Sequence, residues 1–185
     1  PILFIVYGQE FGQRAQEFGK NIVQYSKFDW YYIETKNFDI YYYDSAKEQA
    51  EFVAYHAEEA YEKIKLLLGW GLKDRRNIIV YNSHNEFQET NVIPVYMEEG
   101  ILGVTELGKN RMVIPYEGSL KGFKHVIYHE LVHVFINDGV YGGSIMSAIK
   151  NRIIIPSWMN EGLAEYLADD WSTNSDMWLR DITIN

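Results

Sequence analysis

Cysteine is absent from the 185 residues, which excludes a disulfide framework, thiol catalysis and any cysteine-ligated zinc or iron–sulfur centre. A metal ion, if the chain holds one, must rest on histidine, aspartate or glutamate. Positive charge is scarce as well: 17 Lys and Arg stand against 26 Asp and Glu, a formal charge of −9. That sign repels a phosphate backbone, so nucleic acid is not an expected partner. Long apolar runs are missing, since no stretch reaches the roughly 18 residues of a membrane helix, and no transmembrane segment is expected. Repeats and low-complexity linkers are also lacking. What is present is 47% hydrophobic and 16% aromatic residues, enough for one sizeable core and far from a disordered composition.

The first residues, Pro1 to Gly8, form a short apolar run followed by polar Gln9 and Glu10. They read as the end of a signal-peptide apolar region with its cleavage site, which predicts export to the periplasm or cell envelope; an edge strand is the other reading. Residues 1–30 are taken as this remnant plus an arm, and 31–185 as the domain. The run YYIETKNFDIYYY at 31–43 is β-prone with a turn at Lys36-Asn37, and predicts two strands or one bent strand. Ser45 with Glu48 resembles a capping box, and apolar positions at helical spacing from Ala50 to Leu68 predict a long helix over 45–68, stopped by Gly69. Asn77–Tyr81 reads as a strand completing a β–α–β unit, with a capped turn at Ser83 and Glu86. Segments 101–106 and 111–116 read as a hairpin, in which Pro115 suggests that the second arm is an edge strand. A helix follows over 119–137, with Gly139 as its left-handed cap, and another opens at Pro156-Ser157 with Ser157 as cap. The pairs Glu58-Glu59 and Glu98-Glu99 read as solvated faces.

Chemistry concentrates in His129-Glu130-Leu131-Val132-His133, an H-E-x-x-H motif on the strongly apolar helix. Histidines at i and i+4 project from one face a turn apart, so both imidazoles can converge on one ion, while Glu130 is turned aside to reach a water. Zinc hydrolases need a third protein ligand and an open fourth position. Glu161, in Trp158-Met159-Asn160-Glu161-Gly162-Leu163-Ala164-Glu165-Tyr166, supplies the carboxylate. Glu165, one turn on, is placed to hydrogen-bond the far nitrogen of a ligating histidine. Tyr166 and Tyr141 are candidate oxyanion donors. His125 extends the histidine stripe but lies eight residues from His133, too far to share an ion with it; a surface or supporting role is expected. His56 and His84 read as structural. The alternative for the whole motif is a buried polar cluster satisfied by its neighbours, and for Glu165 a solvent-facing helix position.

HELVH followed by WMNEGLAEY resembles the gluzincins, zinc metallopeptidases of the thermolysin-like peptidase-MA clan, and more closely the peptidase-MA-like domain found ahead of TolB-like β-propeller repeats in exported bacterial proteins. The resemblance spans about residues 25–170. It implies an α+β zincin-like fold: a mixed twisted sheet, the long helix and the active-site helix packed beneath it, and the Glu161 helix across a cleft. It also implies Zn²⁺ as cofactor, a peptide or protein substrate, a downstream β-propeller, and hydrolysis with Glu130 as general base and His129, His133 and Glu161 as ligands. The W-x-N-E-G-x-A form is similar to that of gluzincin aminopeptidases, but no G-x-M-E-N segment accompanies it; Gly103-Val104-Thr105-Glu106 is only loosely comparable. The peptide is expected to add alongside strand 111–116. Since 185 − 161 = 24 residues follow Glu161, a further helical lobe is expected beyond them. The alternative function is a zinc-binding, catalytically weak module serving recognition or assembly in a larger envelope protein.

Overall fold

The computed structural model describes residues 27–89, 102–106, 111–142, 155–168, 173, 176–177 and 180–181. The expected signal remnant, the 107–110 turn, Glu98-Glu99 and most of the segment after 168 lie outside these residues. The chain is α+β. Strands β1 (Trp30–Glu34) and β2 (Phe38–Tyr43) are followed by a single 3₁₀ turn (Asp44–Ala46), helix α1 (Lys47–Leu68), strand β3 (Arg76–Tyr81) and short helix α2 (His84–Gln88). Strands β4 (Val104–Glu106) and β5 (Arg111–Pro115) precede helices α3 (Leu120–Gly139) and α4 (Ser157–Ala168).

The sheet is mixed, in the order β1-β2-β3-β5-β4. β2, β3 and β5 run parallel, and β1 and β4 pair antiparallel on the two flanks. Parallel pairing of β2 with β3 across α1 is the expected β–α–β unit. β1 and β2 form a hairpin through Lys36-Asn37, where Thr35 N donates to Phe38 O at 2.9 Å.

Strand alternation sorts the side chains onto two faces. Phe38 and Ile40 of β2, Ile78 and Val80 of β3, and Met112 and Ile114 of β5 are buried with α1 and α3 in the main core. Tyr43, Tyr81 and Val113 point the other way and pack with Phe87 of α2. α1 turns Ala50, Val53, Ala57, Ala60, Tyr61 and Ile64 inward at helical spacing and ends at Gly69, whose φ of 83° only glycine adopts cheaply. α3 is buried on nearly every side, as a central helix must be. Leu131, inside the H-E-x-x-H segment, is fully buried, and its truncation to Ala would cost about 2–5 kcal/mol.

Several expectations are corrected. α1 begins at Lys47 with Ala46 as its N-cap residue, so Ser45 does not cap it and lies in the 3₁₀ turn instead. Ser157 is the first residue of α4, and the carbonyl of Pro156 receives the N–H groups of Met159 and Asn160. Gly139 is helical, not left-handed; its missing Cβ makes room for the Trp70 indole, which such an atom would meet at 2.3 Å. Glu58 is half-buried and accepts from Thr35 Oγ1, Asn37 N and Asn37 Nδ2, pinning the β1–β2 turn to α1. β5 lies inside the sheet between β3 and β4. Pro115 is tolerated there because it closes the strand: Tyr116 N donates to Tyr81 O of β3. By alternation the proline nitrogen therefore faces the side on which β4 pairs only as far as Val113. Among the described residues β4 is the outer strand on that flank.

Candidate metal centre

Ser119 opens α3, its Oγ accepting from Gly122 N at 3.2 Å, and the helix carries His125, His129 and His133 one turn apart. α4 supplies Asn160, Glu161 and Glu165. The residues meet in reverse order, Asn160 against His133 and Glu165 against His125, so the two helices run antiparallel.

Three atoms converge. His133 Nε2 lies 3.2 Å from His129 Nε2 and 3.1 Å from Glu161 Oε2, and His129 Nε2 lies 3.3 Å from the same oxygen. The three side chains are only 11%, 12% and 20% exposed. A tetrahedral ion with bonds of about 2.0–2.1 Å separates its ligand atoms by about 3.3–3.4 Å, close to this triangle. Two imidazoles and a carboxylate are a donor set that can hold zinc with a fourth position left over. The residues therefore fit the ion.

Electrostatics favour the same arrangement. Burial works to raise the Glu161 pKa, but hydrogen bonds from His129 and His133 outweigh it and hold the carboxyl at about 2, well below its ordinary value. Burial likewise disfavours a charged His133, yet the Glu161 hydrogen bond and the charges of Glu130 and Glu161 lift its pKa above the ordinary histidine value.

Behind the triangle, Asn160 Nδ2 donates to His133 Nδ1 at 3.2 Å, while Asn160 Oδ1 is buried with no hydrogen-bond partner among the described residues. That orientation belongs to the tautomer whose proton sits on Nε2 and points at Glu161. A cation held at Nε2 would leave the ring proton on Nδ1. Rotating the Asn160 amide then brings Oδ1 round to accept it, which also satisfies the orphaned oxygen. Glu165 Oε2 lies at ion-pair distance, 3.3 Å from His129 Nδ1 and 3.3 Å from His125 Nε2, without the expected hydrogen bond to His129 Nδ1 being formed. Two groups on these helices could hold a cation, His129-His133-Glu161 and His125-His129-Glu165. His125 and His133 fall in different groups, in keeping with their axial separation.

Glu130 is 8% exposed and faces β4. Thr105 Oγ1 donates to Glu130 Oε2 at 2.7 Å and lies 3.1 Å from the Glu130 carbonyl oxygen. A Cβ on Gly103 would meet Glu130 Cγ at 2.7 Å and Oε1 at 2.9 Å, so only glycine lets the carboxylate lie against this strand. Tyr166 is 64% exposed, and no contact joins it to the cluster among the described residues. Tyr141 uses its hydroxyl to accept from Ile155 N at 3.0 Å, tethering the approach to α4. His56 pairs with Glu59 and His84 with Glu117, away from the cluster.

Sequence reasoning missed Asn160, Thr105 and Gly103. Asn160 had a signal, since it directly precedes the expected ligand. Thr105 and Gly103 enter the sequence reading only as part of the segment loosely comparable to G-x-M-E-N, and lie more than 20 residues from Glu130, so their contact with it has no local signal. Comparison with protein-family models, curated proteins and solved structures finds no match to the chain.

Proposed function

We propose that the chain is a zinc-dependent peptidase of gluzincin type, with His129, His133 and Glu161 as the metal ligands and Glu130 as general base. The observation that supports this most is the triangle of His129 Nε2, His133 Nε2 and Glu161 Oε2, with 3.1–3.3 Å edges, beside a buried second carboxylate. Zinc held there would supply Lewis-acid chemistry, acidifying a water and polarising a carbonyl oxygen. Glu161 enters as a carboxylate because its low pKa keeps it ionised. Glu130 Oε2 is engaged by Thr105, which leaves Oε1 to take the proton of the attacking water and return it to the leaving nitrogen. Gly103 lets that carboxylate lie against β4 without a side-chain clash at Oε1. β4, rather than β5, is the strand along which a peptide would add, because among the described residues it is the outer strand next to Glu130. Export and a downstream β-propeller belong to the same proposal and rest on the resemblance alone.

A second reading, a zinc-binding module without efficient catalysis, is favoured by one observation: the Glu130 carboxylate is already hydrogen-bonded to Thr105. Metal content by plasma mass spectrometry and peptide-library cleavage separate the two. One zinc per wild-type chain, affinity lowered on the order of a thousand-fold in Glu161→Ala, and cleavage abolished by Glu130→Gln support the peptidase. Zinc with no cleavage supports the module. No zinc in protein dialysed against excess metal overturns both.

A further inference from the structure

His125 belongs to none of the proposed steps, yet its geometry is specific. It sits one turn before His129 on α3, with ring centroids 6.0 Å apart, and its Nε2 is 3.3 Å from Glu165 Oε2. The same oxygen is 3.3 Å from His129 Nδ1. One carboxylate oxygen from α4 is thus bracketed by two imidazole nitrogens from α3. Glu165 is 54% exposed, and a long exposed side chain has several rotamers open to it. A single contact to His129 would leave it free to swing into solvent. His125, 26% exposed and fixed on the same rigid helix as the ligand, supplies the second contact that restricts it.

We infer that His125 is a positioning residue for the metal centre: it clamps Glu165 against His129 Nδ1, so that the ligand keeps its proton on Nδ1 and turns its Nε2 lone pair toward Glu161 and His133. The inference rests on the zinc-site reading above. The carboxylate behind a ligating histidine fixes the tautomer and orientation of the ring, and losing such a partner typically weakens metal binding 10–100-fold. The effect of His125 must therefore pass through Glu165 and disappear when Glu165 is gone.

The test is a zinc titration against a competing chromophoric chelator, with thermal melts of the chelator-stripped proteins alongside. Expected are one zinc per wild-type chain and a roughly tenfold higher Kd for His125→Ala. Glu165→Ala should be at least as weak, and the double variant no weaker than Glu165→Ala alone. His125→Gln, which keeps an N–H near the position of Nε2, recovers most of the affinity. A merely structural role would lower the stripped-protein melting temperature without this non-additive pattern in Kd. Unchanged affinity in His125→Ala, full additivity with Glu165→Ala, or a second zinc in wild type that His125→Ala removes would each overturn the clamp; the last would make His125 and Glu165 ligands themselves. A Glu161→Ala arm separates the failures. If Glu161→Ala weakens binding and His125→Ala does not, only the clamp falls. If Glu161→Ala binds zinc like wild type, the zinc-site reading falls and the clamp with it.

Discussion

α3 carries two buried polar clusters, and their contrast shows what distinguishes a structural ion pair from a candidate metal centre. Near its C-terminal end Asp138, 4% exposed, pairs with Arg76, 2% exposed, and Asp138 Oδ2 accepts from Lys73 N at 3.1 Å. Lys73 Nζ donates to the Asp138 carbonyl at 3.1 Å, and Trp70 Nε1 to the Phe135 carbonyl at 3.3 Å. Donors face acceptors throughout, with only Arg76 Nη1 left without a partner among the described residues. A turn and a half earlier, two imidazoles and a carboxylate bring three lone-pair-bearing atoms to one point. That second arrangement needs protons or a cation between its members. Burial of charge is common to both clusters; convergence of acceptors belongs to one.

The largest expected effect breaks the first cluster and spares the second. Asp138→Ala leaves Arg76 buried and unpaired and should destabilise the fold by about 3–5 kcal/mol, read by urea melts, while the zinc Kd of the remaining folded protein stays within about twofold of wild type. A parallel loss of zinc affinity would show that the two ends of α3 are coupled. Next, Thr105→Val touches neither cluster and removes a hydrogen bond to the Glu130 carboxylate. Peptide cleavage should fall about tenfold with zinc content unchanged, and Thr105→Ser should restore it. An unaltered rate would mean that Thr105 does not orient the base.

The smallest effect concerns pH in metal-stripped protein. Glu161, held at about 2, contributes stability that is fully present above its ordinary 4.5 and lost as pH falls toward 2. His133, with a raised value, contributes stability that is fully present below its ordinary 6.5 and lost as pH rises through the raised value. Together they stabilise best between about pH 4.5 and 6.5. Glu161→Gln should flatten the acid limb of the stability profile by about 1 kcal/mol. An acid limb as steep as that of wild type would assign the loss to other carboxylates.

Much of this was legible in the sequence because it is periodic or adjacent. Histidines at i and i+4, a carboxylate inside the next helix, the long amphipathic α1 and the parallel β2–α1–β3 unit all follow from spacing. Strand order did not. The hairpin signal of β4 and β5 establishes that they pair but not which arm lies outside, and Pro115 misdirects because a proline is equally at home at the end of an interior strand. Local signals also mislead where tertiary contact supplies the reason. Gly139 looks like a helix stop but is glycine for the sake of Trp70, and Glu58 looks like a solvated face but holds the β1–β2 turn. The grip of β4 on Glu130, through Thr105 and Gly103, joins residues 25 or more apart, and its one trace in the sequence is the loose likeness of Gly103-Val104-Thr105-Glu106 to an aminopeptidase segment, which says nothing of contact with Glu130.

The three converging side chains span 161 − 129 = 32 positions of the chain, and α4 buries Ala164, Leu167 and Ala168 in the core with Leu163 partly buried beside them. The cluster therefore depends on closing the chain between α3 and α4, and its α4 members are held by one short helix. Such a segment opens more cheaply than the whole domain. Undocking α4 takes Glu161, Asn160 and Glu165 away at once while His129 and His133 stay fixed on α3. An ion held by the cluster would then exchange by local opening of α4, and amide protons of α4 are expected to exchange well before those of α3.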